Sequence, residues 1–314
     1  MPRPRRYPGD VVETPLFLVV EPDAADPVAR LGDWFRDAGA ELQVVRPYAG
    51  DALPASLEGF DALVVMGGTM GAGDDADVPW LAELRALIVT AVNGDTPTLG
   101  VCLGSQLLGL AMGGTVERNP EGPEVGASLV AKRQAAAGDP LFRELPITPD
   151  VLQWHDDAVT TLPPGAELLM SSPGCATQAF RVGKFAWGVQ FHVENTEDMV
   201  RQWTENSRHS ETRSGRDLDA VEATALALLP DIAETWAPFA ATFTGIARDP
   251  SSVKIARTVP SSTAEPISDK AAIRAALAAE ADAARGIGVS PPDAPYGRPL
   301  PLAGDHPLAG DRRS

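Results

Sequence analysis

Cys102 is one of only two cysteines in the 314-residue chain, and it separates a β-prone run from a compact apolar segment. Gly100 and Gly104 flank it two residues away on either side, in the order Gly-Val-Cys-Leu-Gly. Small residues at these positions suit a strand that turns sharply into a helix and holds a nucleophile clear of the sheet. A helix N-terminus also stabilises a thiolate. The pattern indicates a nucleophilic thiol, and a cysteine packed as a small hydrophobe is the alternative.

A nucleophilic thiol needs a base, and the chain has four histidines. His192 ends the strand-like run WGVQFH, and Glu194 follows two residues later. Since residues i and i+2 of a strand point the same way, we expect Glu194 to reach the far ring nitrogen of His192. His209 lies in a polar stretch and is predicted to be solvated, and His306 is predicted to lie in a disordered tail.

Composition excludes several classes of function. The chain is 44% hydrophobic and 22% charged, as in a globular protein, and its 43 acidic and 26 basic residues give a net charge of −17. This balance argues against binding to nucleic acid or to an anionic membrane. We find neither a signal peptide nor an apolar run that spans a bilayer, so we expect a cytoplasmic protein. Two cysteines make no disulfide framework and no zinc site.

Strands alternate with helices in the first third of the chain. This order predicts a parallel sheet with helices on both faces. The predicted strands are 16–20, 42–48, 61–68 and 97–101, and the predicted helices are 26–39 and 79–94.

The remainder of the chain changes character. Four strand-like runs in its middle predict an antiparallel or mixed extension of the sheet, followed by a helix over 196–207. Residues 217–248 predict two helices, broken near Pro230 or Pro238. The strand-like runs are 125–133, 166–172, 176–183 and 185–194.

We predict three parts along the chain. An N-terminal extension covers 1–15, and a domain covers 16–248 with its C-terminal helices from about 217. An extension over 249–314 follows, with one candidate helix at 268–286 and then a disordered tail rich in Pro and Gly.

Two motifs together identify a family. GVCLGSQ and, about ninety residues later, GVQFHVE resemble the class I glutamine amidotransferases, whose glutaminase domains use a Cys-His-Glu triad. The resemblance runs from about residue 16 to about 205 and includes a double glycine before a PWL helix entry, as well as QWHDDAV. It is greatest for stand-alone members similar to the glutaminase domain of GMP synthetase. It implies a flavodoxin-like α/β fold with a mixed, mainly parallel sheet and a helical C-terminal addition.

The resemblance implies a role for each matching residue. Cys102 would attack the γ-carboxamide carbon and form a γ-glutamyl thioester, while His192 moves the protons and Glu194 orients His192. Backbone N–H groups of Leu103 and Gly68 would form the oxyanion hole.

The resemblance also points to a substrate-binding set of four residues. Gln106 stands at the glutamine-contacting position, Gly67 begins the double glycine, and His155 and Asp157 match a His and an Asp of the family. For His155 and Asp157, holding a loop by hydrogen bonds is an equal alternative.

The chain departs from the family at two positions. The usual His-Pro-Glu is His-Val-Glu here, with Val193 in the middle, and we expect the strand geometry to be kept. Thr69 stands where proline often follows the double glycine, which bears on how the oxyanion loop is held.

These residues predict a hydrolase of glutamine or of a γ-glutamyl amide or peptide that needs no cofactor or metal. The first alternative is a glutaminase subunit that passes ammonia to a separate synthase. The second is a non-catalytic binding module on the same fold. Cysteine hydrolases of the DJ-1/PfpI group fit less well, because a histidine follows their nucleophile directly and Leu103 stands there in this chain.

Two other features are given structural interpretations. Cys175 is predicted to be a packed strand residue and not a second nucleophile. The acidic run at 74–77 lacks the order of ligands of a calcium loop and is predicted to be a solvated loop.

Overall fold

A computed structural model describes residues 14–208 and 216–253. All of them belong to the first of two compact units, Met1–Ile267. The predictions for residues 1–13, the helix at 268–286, the Pro-rich tail, His209 and His306 lie outside the described residues.

An eight-stranded sheet forms the centre of the described part of the chain, in the order β2-β1-β3-β4-β12-β11-β10-β7. The first five strands in this order run parallel to one another, and the last three add antiparallel pairs. The expected mixed, mainly parallel sheet is confirmed. The strands are β1 Leu16–Val20, β2 Glu41–Val45, β3 Ala62–Val65, β4 Thr98–Val101, β5 Thr115–Arg118, β6 Glu124–Leu129, β7 Ala131–Lys132, β8 Asp150–His155, β9 Asp157–Thr161, β10 Glu167–Ser171, β11 Ala179–Val182 and β12 Ala186–Val189.

Helices cover both faces of the sheet. The first and last lie against one face, and the second and third against the other. Within 14–208 and 216–253, no helix is both long enough and apolar enough to cross a membrane. The helices are α1 Ala29–Asp37, α2 Trp80–Asn93, α3 Leu103–Ala111, α4 Glu197–Arg208 and α5 Leu218–Arg248.

Strand β1 shows why its sequence is a continuous apolar run. Phe17 and Val19 pack toward α1 and α5, whereas Leu18 and Val20 pack toward α2 and α3. All four side chains are fully buried, as expected for a parallel strand that is covered on both faces. The two helical layers thus fix the strand ends at which the candidate site lies.

The middle of the chain is only partly an extension of the sheet. β7, β10 and β11 extend it, but β5 pairs with β9 and β6 with β8 in two separate two-stranded sheets. β5, β8 and β9 fall outside every predicted strand or strand-like run, so that expectation was incomplete. β12 is also shorter than the predicted run 185–194, since it ends at Val189.

The prediction of two helices over 217–248 is wrong, because α5 is a single helix with Pro230 and Pro238 inside it. Both prolines are exposed. The carbonyl groups that lose their helical N–H partners therefore face the solvent side, where water can bond to them. The buried face, which includes Trp236 and Phe243, continues without a break across both prolines.

Candidate functional site

Cys102 lies at the corner between β4 and α3, with φ 50° and ψ −106°. This left-handed conformation is uncommon for a residue with a side chain and stores backbone strain. The corner is tight because a Cβ atom on Gly100 would overlap the carbonyl of Gly104, and one on Gly104 would overlap the carbonyl of Val65. The two flanking glycines are therefore required by the close approach of three backbone segments.

His192 and Glu194 form a buried pair beside this corner. Nδ1 of His192 lies 2.6 Å from Oε1 of Glu194, and both side chains are almost completely buried. The pair was expected to lie on a strand, but it lies just beyond the end of β12. Its geometry is kept because His192 exchanges two backbone hydrogen bonds with Leu152 of β8, at 2.8 and 3.0 Å.

The electrostatics of the pair favour a protonated imidazole. Burial alone would lower the pKa of His192, but Glu194 and the neighbouring Cys102 outweigh burial and hold the pKa well above 6.5. Since Glu194 occupies Nδ1, the Nε2 atom of His192 is left to serve the thiol.

Gln190 is a further buried contact of the thiol. Its Nε2 atom lies 3.6 Å from Sγ of Cys102, and its Oε1 atom accepts a hydrogen bond from Gln106 at 3.2 Å. Gln106 also donates to the backbone carbonyl of Asp157 at 3.0 Å. This chain of amides ties the corner, the end of β12 and the start of β9 together.

The double glycine follows β3 and lies over the corner. Gly68 comes close to Leu103, since a Cβ atom on this glycine would lie 2.9 Å from Cδ2 of that leucine. Within the described ranges, no hydrogen bond uses the N–H of Gly68, and Leu103 is the first residue of α3, where N–H groups lack helical partners. Both groups expected to form the oxyanion hole are thus free to donate.

Each residue that replaces a family proline donates its backbone N–H to a carboxylate. The backbone N–H of Thr69 donates to Asp23 at 3.2 Å, and the hydroxyl of Thr69 donates to the same carboxylate at 2.5 Å. Burial alone would raise the pKa of Asp23, but these and other hydrogen bonds outweigh burial and lower the pKa. The N–H of Val193 donates to Oε2 of Glu194 at 2.9 Å. Proline has no N–H, so these contacts exist only because of the two departures.

A cavity of about 540 Å³ opens onto Cys102. Gly68, Gln106, His155 and Asp157 line it, and so does Trp154. Trp154 also packs on Trp203 at 5.5 Å, so it belongs both to the cavity wall and to the core behind it. Gly67, which was also predicted to bind substrate, is not among the described lining residues; a Cβ atom on it would come 3.1 Å from Cε1 of His192.

His155 and Asp157 both line the cavity and hold a loop. The ring nitrogens of His155 contact the carbonyl of Asp157 and the carboxylate of Glu124, each at 2.9 Å. Arg118 pairs with Asp156 at 3.1 Å and with Asp157 at 3.3 Å. His155 and Asp157 can therefore both line the cavity and hold the loop, and the two alternatives are compatible.

Glu124, His155 and Cys175 place three potential metal-ligating atoms within 4.8 Å of one another. These atoms are already engaged: Gln178 and His155 bond to the carboxylate of Glu124, and the Cys175 thiol donates to the carbonyl of Thr177. Burial, with a contribution from Glu124, raises the pKa of Cys175 to about 12. A thiol that ionises so poorly fits a packed residue and not a second nucleophile. Cys175 lies between β10 and β11, however, and not on a strand, where it was predicted to lie.

The acidic run at 74–77 is an exposed loop, as expected, and two of its carboxylates hold neighbouring segments. Asp74 lines the cavity and accepts a hydrogen bond from the N–H of Gly71 at 2.7 Å. Asp75 pairs with Arg85 at 2.5 Å. The run thus braces the segment that follows the double glycine.

Four residues of the site were missed in the sequence: Gln190, Arg118, Asp26 and Trp203. Gln190 stands inside the quoted motif GVQFHVE, two residues before His192, so the strand alternation that indicated Glu194 also places it on the same side. Asp26 and Trp203 carry no such signal, because they reach the site from a loop and a helix that are distant along the chain.

Asp26 brings a second carboxyl group to the histidine. It is 7% exposed, and burial is the main cause that raises its pKa to about 7. His192 opposes this rise, whereas Glu194 and Asp23 add to it.

Known proteins resemble the chain over the segment that carries this site. Residues 29–206 match the sequence model of the family described as glutamine amidotransferase class-I. The glutamine amidotransferase-like protein YfeJ of Salmonella typhimurium is 34% identical over 178 residues, which are 56% of this chain and 74% of that protein.

Two further relatives are longer than the segment they share. Aminodeoxychorismate synthase of Streptomyces griseus is 35% identical over 57% of this chain and 24% of its own length. Gamma-glutamyl peptidase 4 of Arabidopsis thaliana is 28% identical over 46% of this chain and 57% of its own length. The chain thus spans less than two thirds of either protein.

The solved structures agree with the sequence comparisons. The crystal structure of a glutamine amidotransferase from Thermotoga maritima matches with a TM-score of 0.66 and 26% identity, over 76% of this chain and 99% of that chain. The expected fold and the resemblance are both confirmed. The family match covers more than half of the chain, and the chain belongs to the class-I glutamine amidotransferase family.

Proposed function

We propose that the chain hydrolyses the γ-amide of glutamine or of a γ-glutamyl compound through a thioester on Cys102. The observation that carries this proposal is the position of the thiol, at a strained corner beside the buried His192–Glu194 pair. A nucleophile, a base and a group that orients the base are the parts that such catalysis needs.

Acylation begins at the pair of Cys102 and His192. The raised pKa of His192 favours an imidazolium, and an imidazolium together with the N-terminus of α3 favours the thiolate. Sulfur attacks the γ-carbonyl carbon, and the N–H groups of Gly68 and Leu103 receive the charge on the carbonyl oxygen. The C–N bond then breaks as Nε2 of His192 gives its proton to the leaving nitrogen.

Deacylation reverses the roles. His192, now neutral, takes a proton from water, and the resulting hydroxide attacks the thioester carbon. The C–S bond then breaks and Cys102 leaves as the thiolate, while His192 keeps the proton that it took from water. Glutamate departs, its new γ-carboxyl group gives its proton to the solvent, and the resting thiolate–imidazolium pair is restored. Glu194 keeps the proton on Nδ1 throughout, so that Nε2 alternates between base and acid.

We place the γ-glutamyl group on the side of the cavity where Gln106 and Asp157 lie, because both residues line it. Among the described residues that line this cavity, the cationic side chain of the Lys or Arg type belongs to Arg118. Its guanidinium group can bind the α-carboxylate of the γ-glutamyl group. His155 and Gln106 act on Asp157 through its carbonyl group, which makes them positioning residues for this wall.

The test measures glutamate released from L-glutamine and from a series of γ-glutamyl amides and dipeptides. We expect Cys102→Ala to reduce the rate at least about 10³-fold, because removing the nucleophile of a triad has effects of this size. Cys175→Ala is the matched control, since it removes the other thiol, and it should retain activity. Mass spectrometry of the wild type with a slow substrate should detect a γ-glutamyl adduct on Cys102.

Glutamate release that survives Cys102→Ala would contradict the proposal. Unfolding curves for both variants show whether either loss comes from misfolding.

A second candidate is a glutaminase subunit for a separate synthase. The observation that favours it is that one relative is named aminodeoxychorismate synthase and shares only 24% of its own length with the chain. This candidate predicts weak hydrolysis of glutamine that rises many-fold with a partner. Rapid hydrolysis of a γ-glutamyl amine or peptide by the chain alone favours the stand-alone hydrolase, a reading supported by the similarity to a γ-glutamyl peptidase.

A further inference from the structure

One corner of the cavity carries a buried carboxyl group that no hydrogen bond engages. Asp26 is 7% exposed and lines the cavity. Across residues 14–208 and 216–253, no hydrogen bond or ion pair involves its side chain. Burying a carboxyl group without a partner is costly, so its presence in a cavity wall points to a ligand that supplies the partner.

Asp26 lies on the side of the site where the amine leaves. A Cβ atom added to Gly67 would lie 2.9 Å from Oδ1 of Asp26 and 3.1 Å from Cε1 of His192, so the carboxyl group and the imidazole ring approach the same glycine. His192 gives its proton to the departing nitrogen in the proposed function, so Asp26 lies beside the ring that meets the leaving amine.

Aromatic rings complete this corner. Trp203 packs edge-on against His192 at 4.6 Å, and its indole N–H donates to the carbonyl of Ala25 at 2.8 Å, directly before Asp26. Trp154 lies 5.5 Å from Trp203. A cavity lined by a carboxylate and by two tryptophan rings is a suitable environment for an ammonium group.

Beyond His192, the described side chains that line the cavity do not offer this corner a further cation; His192 itself pairs with Glu194 and gives its proton to the leaving nitrogen in the proposed function. Among the lining residues that the structure describes, Arg118 carries the Lys or Arg charge; it pairs with Asp156 and Asp157, and in the proposed function it serves the α-carboxylate. An anionic leaving group would therefore meet Asp26 without compensation.

We propose that the corner formed by Asp26, Trp154 and Trp203 binds a positively charged leaving amine. The substrates are then mono-γ-glutamyl amides of a diamine or polyamine, whose distal ammonium group pairs with Asp26. Water cleaves the amide C–N bond, and the products are glutamate and the free di- or polyamine. This inference rests on the proposed function, because it names the substrate class of the same site.

The test compares three γ-amides of L-glutamate that differ only at the far end of a four-carbon chain. The butyl amide is neutral, the 4-aminobutyl amide is cationic and the 3-carboxypropyl amide is anionic. Binding is measured by calorimetry to Cys102→Ala protein, which does not turn the ligands over. The same measurement is made with Asp26→Asn added, and with Asp37→Asn added as a control on the exposed surface of α1.

We expect the cationic amide to bind at least about tenfold more tightly than the neutral one, and the anionic amide to bind most weakly. Asp26→Asn should bring the cationic and neutral amides to within about threefold of each other, while Asp37→Asn should leave the ratio unchanged. Equal binding of the three amides, or no binding of any, overturns the inference. An equal loss for all three in Asp26→Asn also overturns it, since Asp26 would then hold the α-ammonium group.

Binding of the amides does not depend on catalysis, so the two proposals can fail separately. Selective binding without Cys102-dependent turnover contradicts the proposed function, and turnover without selectivity contradicts only this inference.

Discussion

At the scale of single residues, the cost of keeping Asp26 in the site can be measured through pH. Its pKa is raised from the ordinary 3.8 to about 7, mainly by burial. Between these two values the folded state binds more protons than the unfolded state, so stability falls as pH rises through this window. Above about pH 7 the full penalty is present, and below about pH 4 it is absent.

Asp26→Asn should therefore stabilise the protein, and more so at high pH. Asparagine has nearly the same shape but does not ionise. We expect the gain in unfolding free energy to be up to about 3 kcal/mol larger at pH 8 than at pH 5. Urea unfolding of both proteins at the two pH values measures it, with Asp37→Asn as the exposed control. A gain that does not change with pH would show that Asp26 does not ionise in this window.

At the scale of elements, the corner between β4 and α3 and the end of α5 contain glycines with opposite roles. A Cβ atom on Gly104 would overlap the backbone of Val65 in β3, whereas nothing lies within 4 Å of such an atom on Gly245, on the exposed side of α5. Gly104→Ala should destabilise the protein by at least about 3 kcal/mol, because two backbones must separate. Gly245→Ala should stabilise it by about 0.5–1 kcal/mol through helix propensity.

Thermal and urea unfolding of the two variants give the comparison. The same chemical change, one methyl group, should shift the midpoint in opposite directions. If Gly104→Ala is as stable as the wild type, the corner is not as closely packed as we describe.

The elements also show what the sequence could predict and what it could not. The corner at Cys102 and the approach of Glu194 to His192 depend on local geometry, so residue types and spacing were enough to predict each of them. That Cys102 lies beside His192 was implied only by the resemblance to the family. Asp26 joins them only through the contacts of Gly67 and Trp203, and nothing local to Asp26 indicates that approach. Long-range packing of this kind leaves no periodic pattern to read.

Element boundaries and breaks were predicted less well for a similar reason. The two prolines of α5 argue for a break locally, but its buried face outweighs them. Strands β8 and β9 pair in small separate sheets, where the sequence gives no continuous apolar run. Val193 and Thr69 could be recognised as departures from the family, but only the structure shows that their N–H groups bond to Glu194 and Asp23.

At the scale of the whole molecule, the net charge of −17 acts on a charged substrate before it reaches the cavity. A negative potential raises the local concentration of cations and lowers that of anions, and dissolved salt screens this effect. Asp26 acts differently, because it lies inside the cavity and contacts its ligand at short range. Salt dependence and the Asp26→Asn substitution therefore separate the field of the molecule from recognition at the corner.

We expect kcat/KM for the 4-aminobutyl amide to fall several-fold between about 20 mM and about 500 mM salt, since the Debye length shrinks over this range. The butyl amide should show almost no change, and the 3-carboxypropyl amide should gain. Asp26→Asn should lower the preference for the cationic amide at every salt concentration but leave most of its salt dependence, because the substitution removes one charge among 43 acidic residues. If kcat/KM of all three amides responded identically to salt, the net charge of the protein would not act on the approach of the substrate.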